Sequence, residues 1–293
     1  MSAGLDARHV RHAFGRAATS YEAHAVLQTE VAGRLMERLE GIELAPARVL
    51  DAGCGPGRGS AALRARFADA HVIAADIALP MLRAAKHHAG DPPAFARIGA
   101  DVQALPLADA SIDLVYSNLC LQWCDDPGLA LAEFRRVLRP GGLLLFTTFG
   151  PATLHELRSA FATADATPHV SRFIDMHDIG DALIASGFRD PVLERDDFEL
   201  TYSDALTLMR ELRAIGATNA DEKRQRTLTG KAHLARVVAA YEAFRRDGVL
   251  PATYEVVYAQ ALAPEPGQPR RTAQGDIASF PIERLRGSRR GRG

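Results

Sequence analysis

The stretch Val49-Leu50-Asp51-Ala52-Gly53-Cys54-Gly55-Pro56-Gly57 decides the fold. Val49 and Leu50 open a short buried strand, and Gly59 to Phe67 beyond the loop has a helical pattern. Between them Gly53, Gly55 and Gly57 alternate, so the backbone can turn tightly and a ligand can approach where a Cβ would collide. The helix that follows turns free N–H groups and its positive end toward the loop, which suits a carboxylate or a phosphate. A dinucleotide fingerprint wants a third Gly or Ala three residues after the second. Counted from Gly53 and Gly55, that position is Arg58, a crowded choice, so a nicotinamide dinucleotide is disfavoured. Asp51, ahead of the first glycine, is placed to accept from an ammonium group or to orient the loop.

Two further acids extend the pattern. Asp76 ends the next apolar run, Val72 to Asp76, and its two acceptor oxygens match the spacing of two ribose hydroxyls. Asp101 follows a third run in Ala96 to Pro106. Three acids at the carboxyl ends of three successive strands, beside a glycine loop, describe a nucleoside pocket at the open edge of an α/β sheet. Ile77 and Val102, which follow two of these acids, are counted with the cofactor-binding set.

Further out, apolar runs at His71 to Ala75, Ala94 to Ile98, Ile112 to Tyr116 and Leu143 to Phe149 alternate with helical patterns at Leu79 to His88 and Pro127 to Leu138. That rhythm implies a mostly parallel sheet with helices on both faces. Gly141-Gly142 is read as a helix stop. Helices are expected at Pro151 to Ala164 and Asp175 to Ser186, and strands at Val192 to Tyr202 and Thr253 to Leu262. The chain thus divides into an N-terminal helical cap (1–45), with one proline-free helical pattern from Val10 to Leu39, a Rossmann-like core (46–202), a helical lid insertion (203–250), a last core strand (251–263) and a flexible tail (264–293) carrying Arg284, Arg286, Arg289, Arg290 and Arg292.

Composition narrows the class. The chain is 47% hydrophobic and 24% charged over 293 residues, ordinary globular usage. A net charge of -1 supplies no global field for nucleic acid. No apolar run approaches the roughly 18 residues of a membrane span, and the start MSAGLDARHV has no secretory pattern, so a cytoplasmic protein is expected. Cys54, Cys120 and Cys124 are too few for a disulfide framework, and Cys120 and Cys124 lack further ligands at zinc spacing, so no metal is expected.

The acid-x-Gly-x-Gly-x-Gly loop with Asp76 and Asp101 resembles the class I S-adenosylmethionine-dependent methyltransferases. The resemblance implies S-adenosyl-L-methionine as cofactor and a seven-stranded sheet whose seventh strand, Thr253 to Leu262, runs antiparallel. Longer segments, among them Val10 to Leu35, Ser117 to Gly142, Thr147 to Phe161, His169 to Leu183 and Leu250 to Leu262, are similar to the malonyl-acyl carrier protein O-methyltransferases of biotin synthesis. That likeness implies methylation of the free carboxylate of a malonyl thioester, carried on acyl carrier protein or coenzyme A. The Ser117-Asn118-Leu119 to Trp123 segment is also shared by a mitochondrial assembly factor that hydroxylates arginine, and that activity competes with the first. So do a methyltransferase for another small acid or a quinone precursor, and a non-methylating binding protein.

A malonyl carboxyl has an ordinary pKa of roughly 4, so about 99.9% is ionised at neutral pH and no catalytic base is required. The site must instead align the reactants and exclude water. Arg172, whose guanidinium fork suits a carboxylate, is the expected cation for the substrate; a surface pair with Asp175 is the competing reading. Tyr21, after Ala18-Thr19-Ser20, is expected to close over the cofactor or the malonyl group, against a core role. Asn118, at the end of the fourth strand, is expected near the methyl-transfer centre, or as a turn residue. Nine basic residues against six acids from Ser203 to Leu250 offer a surface for an acidic carrier, with Arg245 and Arg246 as its test.

Overall fold

The computed structural model describes residues 4–224, 230–265, 270–272 and 275–277; Arg226 and the five tail arginines lie outside them. Five strands are parallel: β1 (Arg48–Ala52), β2 (His71–Asp76), β3 (Ala96–Gly99), β4 (Ile112–Ser117) and β5 (Leu138–Phe149). Two long strands follow, β6 (Arg189–Tyr202) and β7 (Leu250–Leu262), and the seven form one sheet in the order β3-β2-β1-β4-β5-β7-β6. β7 lies antiparallel to both β5 and β6, as the family resemblance implies. Both long strands begin three residues earlier than their expected runs, because they pair with each other along nearly their whole length.

Successive residues of the central strands feed two cores. Val49, Leu114, Tyr116, Leu143 and Leu145 face one side, with Leu27, Val31 and Leu35 of α3 (Val26–Glu37) packed on them. Leu50, Val115, Leu144 and Phe146 face the other, under α7 (Pro127–Val137) and α9 (Met176–Ala185). Burial on both faces explains why these strands read as continuous apolar runs rather than as alternating ones.

The N-terminal pattern breaks into α1 (Ala7–Ala17), α2 (Tyr21–His24) and α3. Ser20 causes one break: its hydroxyl turns away from its own helix start to donate to Ala214 O at 2.7 Å, in the lid. In the core, α4 (Arg58–Arg66) follows the glycine loop, and the expected Leu79 to His88 helix divides into α5 (Leu79–Ala84) and α6 (Lys86–Ala89). Gly141-Gly142 is not the helix stop. α7 already ends at Val137, with Leu138 extended, and Pro140 bars helix at Arg139. The glycines lie inside β5, where Gly141 takes φ +73°.

α8 (His155–Ala162) precedes α9, and among the described residues of the insertion the α-helices are α10 (Ala205–Ala214) and α11 (Lys231–Tyr241). The described residues between them run over the N-terminal cap. Asp6 N donates to Ala220 O and Glu222 N to Gly4 O, while Arg224 pairs with Asp6 at 2.9 Å. Within the stretch expected to be a flexible tail, β8 (Arg270–Thr272) pairs with β9 (Gly275–Ile277).

Candidate active site

The glycine loop takes its shape from three left-handed residues. Gly53, Gly55 and Gly57 have φ of +75°, +53° and +88°, values a Cβ disfavours. They serve different ends. A Cβ on Gly53 would strike the Cys120 side chain, which packs against the loop from the turn after β4. A Cβ on Gly57 would lie 2.8 Å from Ala85 Cβ, so Gly57 seats the start of α4 against the end of α5. A Cβ on Gly55 would meet nothing within 4 Å, so open space lies over the loop where a ligand can rest against its backbone.

The acids hold this loop. Asp76 accepts from Gly55 N at 2.9 Å and Ala78 N at 2.7 Å, one bond to each oxygen. Each oxygen therefore keeps one further acceptor site toward the cleft. Asp51 accepts from the Ser60 hydroxyl of α4 at 2.5 Å. Burial pushes the Asp51 carboxyl up to about 7, against the Ser60 hydroxyl bond that lowers it and with help from the nearby Asp76 charge. Burial likewise raises Asp76 to about 6 against its two amide donors. Two carboxyls so poised gain from a cationic or hydroxyl-bearing ligand, which supplies what burial has removed. Asp101 accepts from Gln103 N at 2.9 Å, an Asx-type turn that aims it across the loop after β3.

One cleft of about 710 Å³ gathers Tyr21, Gly53, Gly55, Asp76, Ile77, Asp101, Val102 and Asn118. Asp51 opens into an adjoining recess with Tyr21, Gly53, Gly55 and Asn118. A second cleft of about 750 Å³ lies on the other side of Tyr21 and is lined by Phe149, Leu154, Leu157, Phe173 and Tyr254, with His169, Ser171 and Asn219 among its polar groups. Four residues, Phe14, Tyr21, Leu119 and Trp123, line both clefts and form the wall between them. Phe14 meets Trp123 edge to face, with ring centroids 5.1 Å apart. Burial and the Asp76 charge hold the Tyr21 hydroxyl well above its ordinary range, so it stays a neutral donor.

Two of the wall's supports are not legible in the sequence. Leu119 stands at φ +49°, a conformation costing roughly 1–3 kcal/mol in a residue with a Cβ. The Thr147 hydroxyl of β5 accepts its N–H at 2.9 Å and donates to Asn118 Oδ1 at 2.8 Å. Asn118 Nδ2 in turn donates to Gln28 O of α3 at 3.1 Å, so its amide is a brace between sheet and cap. In the second cleft Asn219 donates to Pro168 O at 2.6 Å, joining lid to wall. Asn118 and Leu119 lie in a segment the sequence singles out, but their bonds to Thr147 and Gln28 are made with partners far along the chain.

Arg172 departs from expectation. It is exposed and lines neither cleft, although its neighbours Ser171 and Phe173 both do. Nor does it pair with Asp175, whose carboxylate caps α9 through His177 N at 2.8 Å. Its positive charge is felt at Arg158, whose guanidinium is lowered first by burial and then by Arg172. Arg245 is held by Glu242 at 2.6 Å and by Ser203 O and Gly248 O, so of the expected carrier-facing pair it is the more engaged.

A family profile described as a methyltransferase domain matches residues 50–146, the stretch from β1 through β5. Solved structures share the fold. A protein from Bacillus halodurans aligns with TM-score 0.57 at 19% identity over 80% of this chain and 98% of its own. Haemonchus contortus phosphoethanolamine N-methyltransferase 2, solved with S-adenosyl-L-methionine, aligns with TM-score 0.53 at 17% identity over 85% of this chain and 57% of its own. Closer sequences carry one name. Malonyl-[acyl-carrier protein] O-methyltransferase of Methylovorus sp. is 53% identical over 89% of this chain and 90% of its own length. The proteins of that name from Xylella fastidiosa (97% of each chain) and Laribacter hongkongensis (94% and 96%) are 50% and 49% identical. With such identity from cap to last strand, the chain belongs to the malonyl-[acyl-carrier protein] O-methyltransferase family.

Proposed function

We propose that this protein transfers a methyl group from S-adenosylmethionine to the free carboxylate of a malonyl thioester borne by acyl carrier protein, giving the methyl ester that primes pimeloyl synthesis for biotin. The observation that carries the reading is the pair of clefts meeting at the Phe14, Tyr21, Leu119 and Trp123 wall, one polar and acid-edged, the other largely apolar. The residues fit the cofactor: the open space over Gly55 admits an amino-acid tail, Asp51 suits its ammonium, Asp76 the ribose and Asp101 the adenine amine.

S-adenosylmethionine supplies an electrophilic methyl group on a sulfonium. The chain's own task is placement. Asp76, held by the Gly55 and Ala78 amides, would hold the ribose, and Asp51, held by the Ser60 hydroxyl, would hold the amino-acid tail. Tyr21 and Asn118 hold the line between the clefts, and the aromatic and aliphatic lining of the second cleft excludes water from the carboxylate. Methyl transfer would form the O–CH3 bond as the S–CH3 bond breaks and a neutral thioether leaves, cancelling both charges, so the apolar lining would favour the transition state over the separated ions. Such alignment supplies several kcal/mol of the barrier. Arg172 lies outside the second cleft between the lining residues Ser171 and Phe173, and in this reading it would turn inward with the bound substrate to receive the carboxylate.

The test is incubation with methyl-labelled S-adenosylmethionine and malonyl-acyl carrier protein, then mild base. Label that is released as volatile methanol supports the reading. Label stable to base, or none on the carrier, refutes it.

A further inference from the structure

Behind the second cleft, three elements bring two imidazoles and a carboxylate together. Asp165 follows α8, His169 lies in the segment that lines the cleft, and His233 is on α11 of the lid. His169 Nε2 is 3.0 Å and 3.1 Å from the two Asp165 oxygens, and His233 Nε2 is 3.4 Å from Oδ2. All three donor atoms lie within 4.8 Å of one another, and no other group of three His, Cys, Asp or Glu ligands is so disposed among the described residues.

The geometry points to a site for a divalent transition ion of the zinc class, held by His169 Nε2, His233 Nε2 and Asp165 Oδ2. Ligands about 2.0–2.1 Å from a tetrahedral ion stand some 3.3 Å apart, and the two Nε2–Oδ2 separations bracket that value. The carboxylate is already oriented: Thr167 N donates to Oδ1 at 2.8 Å, and Oδ2 lies 3.1 Å from His169 Nε2 and 3.4 Å from His233 Nε2. His169 is fixed by stacking on Phe161, with centroids 4.2 Å apart. His233 Nε2 is buried and, among the described residues, makes no hydrogen bond although it faces Oδ2. One carboxylate with its Oδ1 engaged leaves that second imidazole unserved, whereas a cation takes both nitrogens and the oxygen at once. Two nitrogens and one oxygen suit zinc and its neighbours, and three protein ligands leave a fourth position for water. The ion would tie α11 and the cleft wall to the end of α8. The spacing conceals this from the sequence, because His233 lies on a different element from the Asp165-x-x-x-His169 pair.

The experiment uses the untagged, metal-free full-length chain, titrated with cobalt(II) chloride by visible absorption and with zinc chloride by equilibrium dialysis. One ion per chain is expected, with the d–d bands of a nitrogen and oxygen site and no thiolate charge-transfer band. The bands should persist in Cys120→Ser and vanish in His233→Ala. Asp165→Asn, which preserves size, should also lose them, and circular dichroism with S-adenosylhomocysteine binding shows that both variants are folded. Absence of a bound equivalent, an unchanged spectrum in folded His233→Ala, or a thiolate band would overturn the assignment.

Discussion

The two clefts are built by opposite means. On the cofactor side the polar anchors are close in sequence: Asp51 meets Ser60, Asp76 meets Gly55 and Ala78, and Asp101 meets Gln103. All hang from the carboxyl ends of β1, β2 and β3, so the sheet places them. On the substrate side the anchors join distant segments. Ser20 reaches Ala214, His9 meets Thr218 at 3.2 Å, and Asn219 meets Pro168. The difference teaches that the polar anchors of one half hang from a single sheet edge, while those of the other join the N-terminal segment to residues 168–219. Variants should therefore sort by half: edge variants should lose cofactor, lid variants should lose substrate.

The largest effect is expected at Gly53. Gly53→Ala puts a Cβ on a left-handed residue and into Cys120. It should weaken S-adenosylhomocysteine binding at least about 100-fold by calorimetry, roughly 3 kcal/mol, and lower the melting temperature. Retained affinity would break the comparison, since the cofactor half would not then rest on the loop. Asp76→Ala comes next. It frees two backbone donors that a carboxylate now holds, and the cofactor dissociation constant should rise about 30-fold or more.

On the other side, Arg172→Ala should raise the KM for malonyl-acyl carrier protein about tenfold and leave cofactor affinity within a few-fold. Loss of cofactor binding there would merge the two halves. Thr147→Val sharpens the boundary, because Thr147 supports the wall rather than either cleft. Its kcat should fall several-fold while both binding constants move little, as expected for a positioning residue.

A smaller effect follows from the raised carboxyls. Asp51 and Asp76 titrate near 7 and 6 in the folded protein and near 4 when unfolded, so the folded state holds more protons in that window. Their contribution to stability is fully present below about 4 and is lost as pH rises through about 6 and 7. Asp51→Asn should remove part of that slope, so its melting temperature relative to the parent should climb between about pH 4 and pH 7. A flat difference would show that Asp51 is ionised without its ligand. Smallest is the reversal of Arg245 and Arg246 to glutamate, which should slow reaction with the carrier-bound thioester more than with the coenzyme A thioester. The effect is limited because Arg245 already spends its charge on Glu242.

Legibility follows the same divide. The loop, the three acids and the parallel part of the sheet are readable because each depends on residues near one another and on burial on both sheet faces, whereas the antiparallel direction of β7 is what the family resemblance implies. The N-terminal pattern reads as one helix but forms three, since the break at Ser20 is made by Ala214 nearly two hundred residues on. Gly141-Gly142 looks like a helix stop for a similar reason: Asp113 of β4 and Ala263, just after β7, meet that bend from far along the chain. Gly57 reads as part of the ligand's cradle, but its conformation serves the packing of α4 on Ala85.

By itself, the order of residues determined the alternating sheet, the bend that bares backbone amides, and the acids at its rim. Local chain geometry and periodic burial are written into neighbouring positions, and they need no distant partner. The wall of Phe14, Tyr21, Leu119 and Trp123, the exposure of Arg172 and the meeting of Asp165 with two histidines were decided only in three dimensions. Each of them arises where cap, sheet and lid converge, and convergence of remote segments is a property of packing rather than of any stretch of chain.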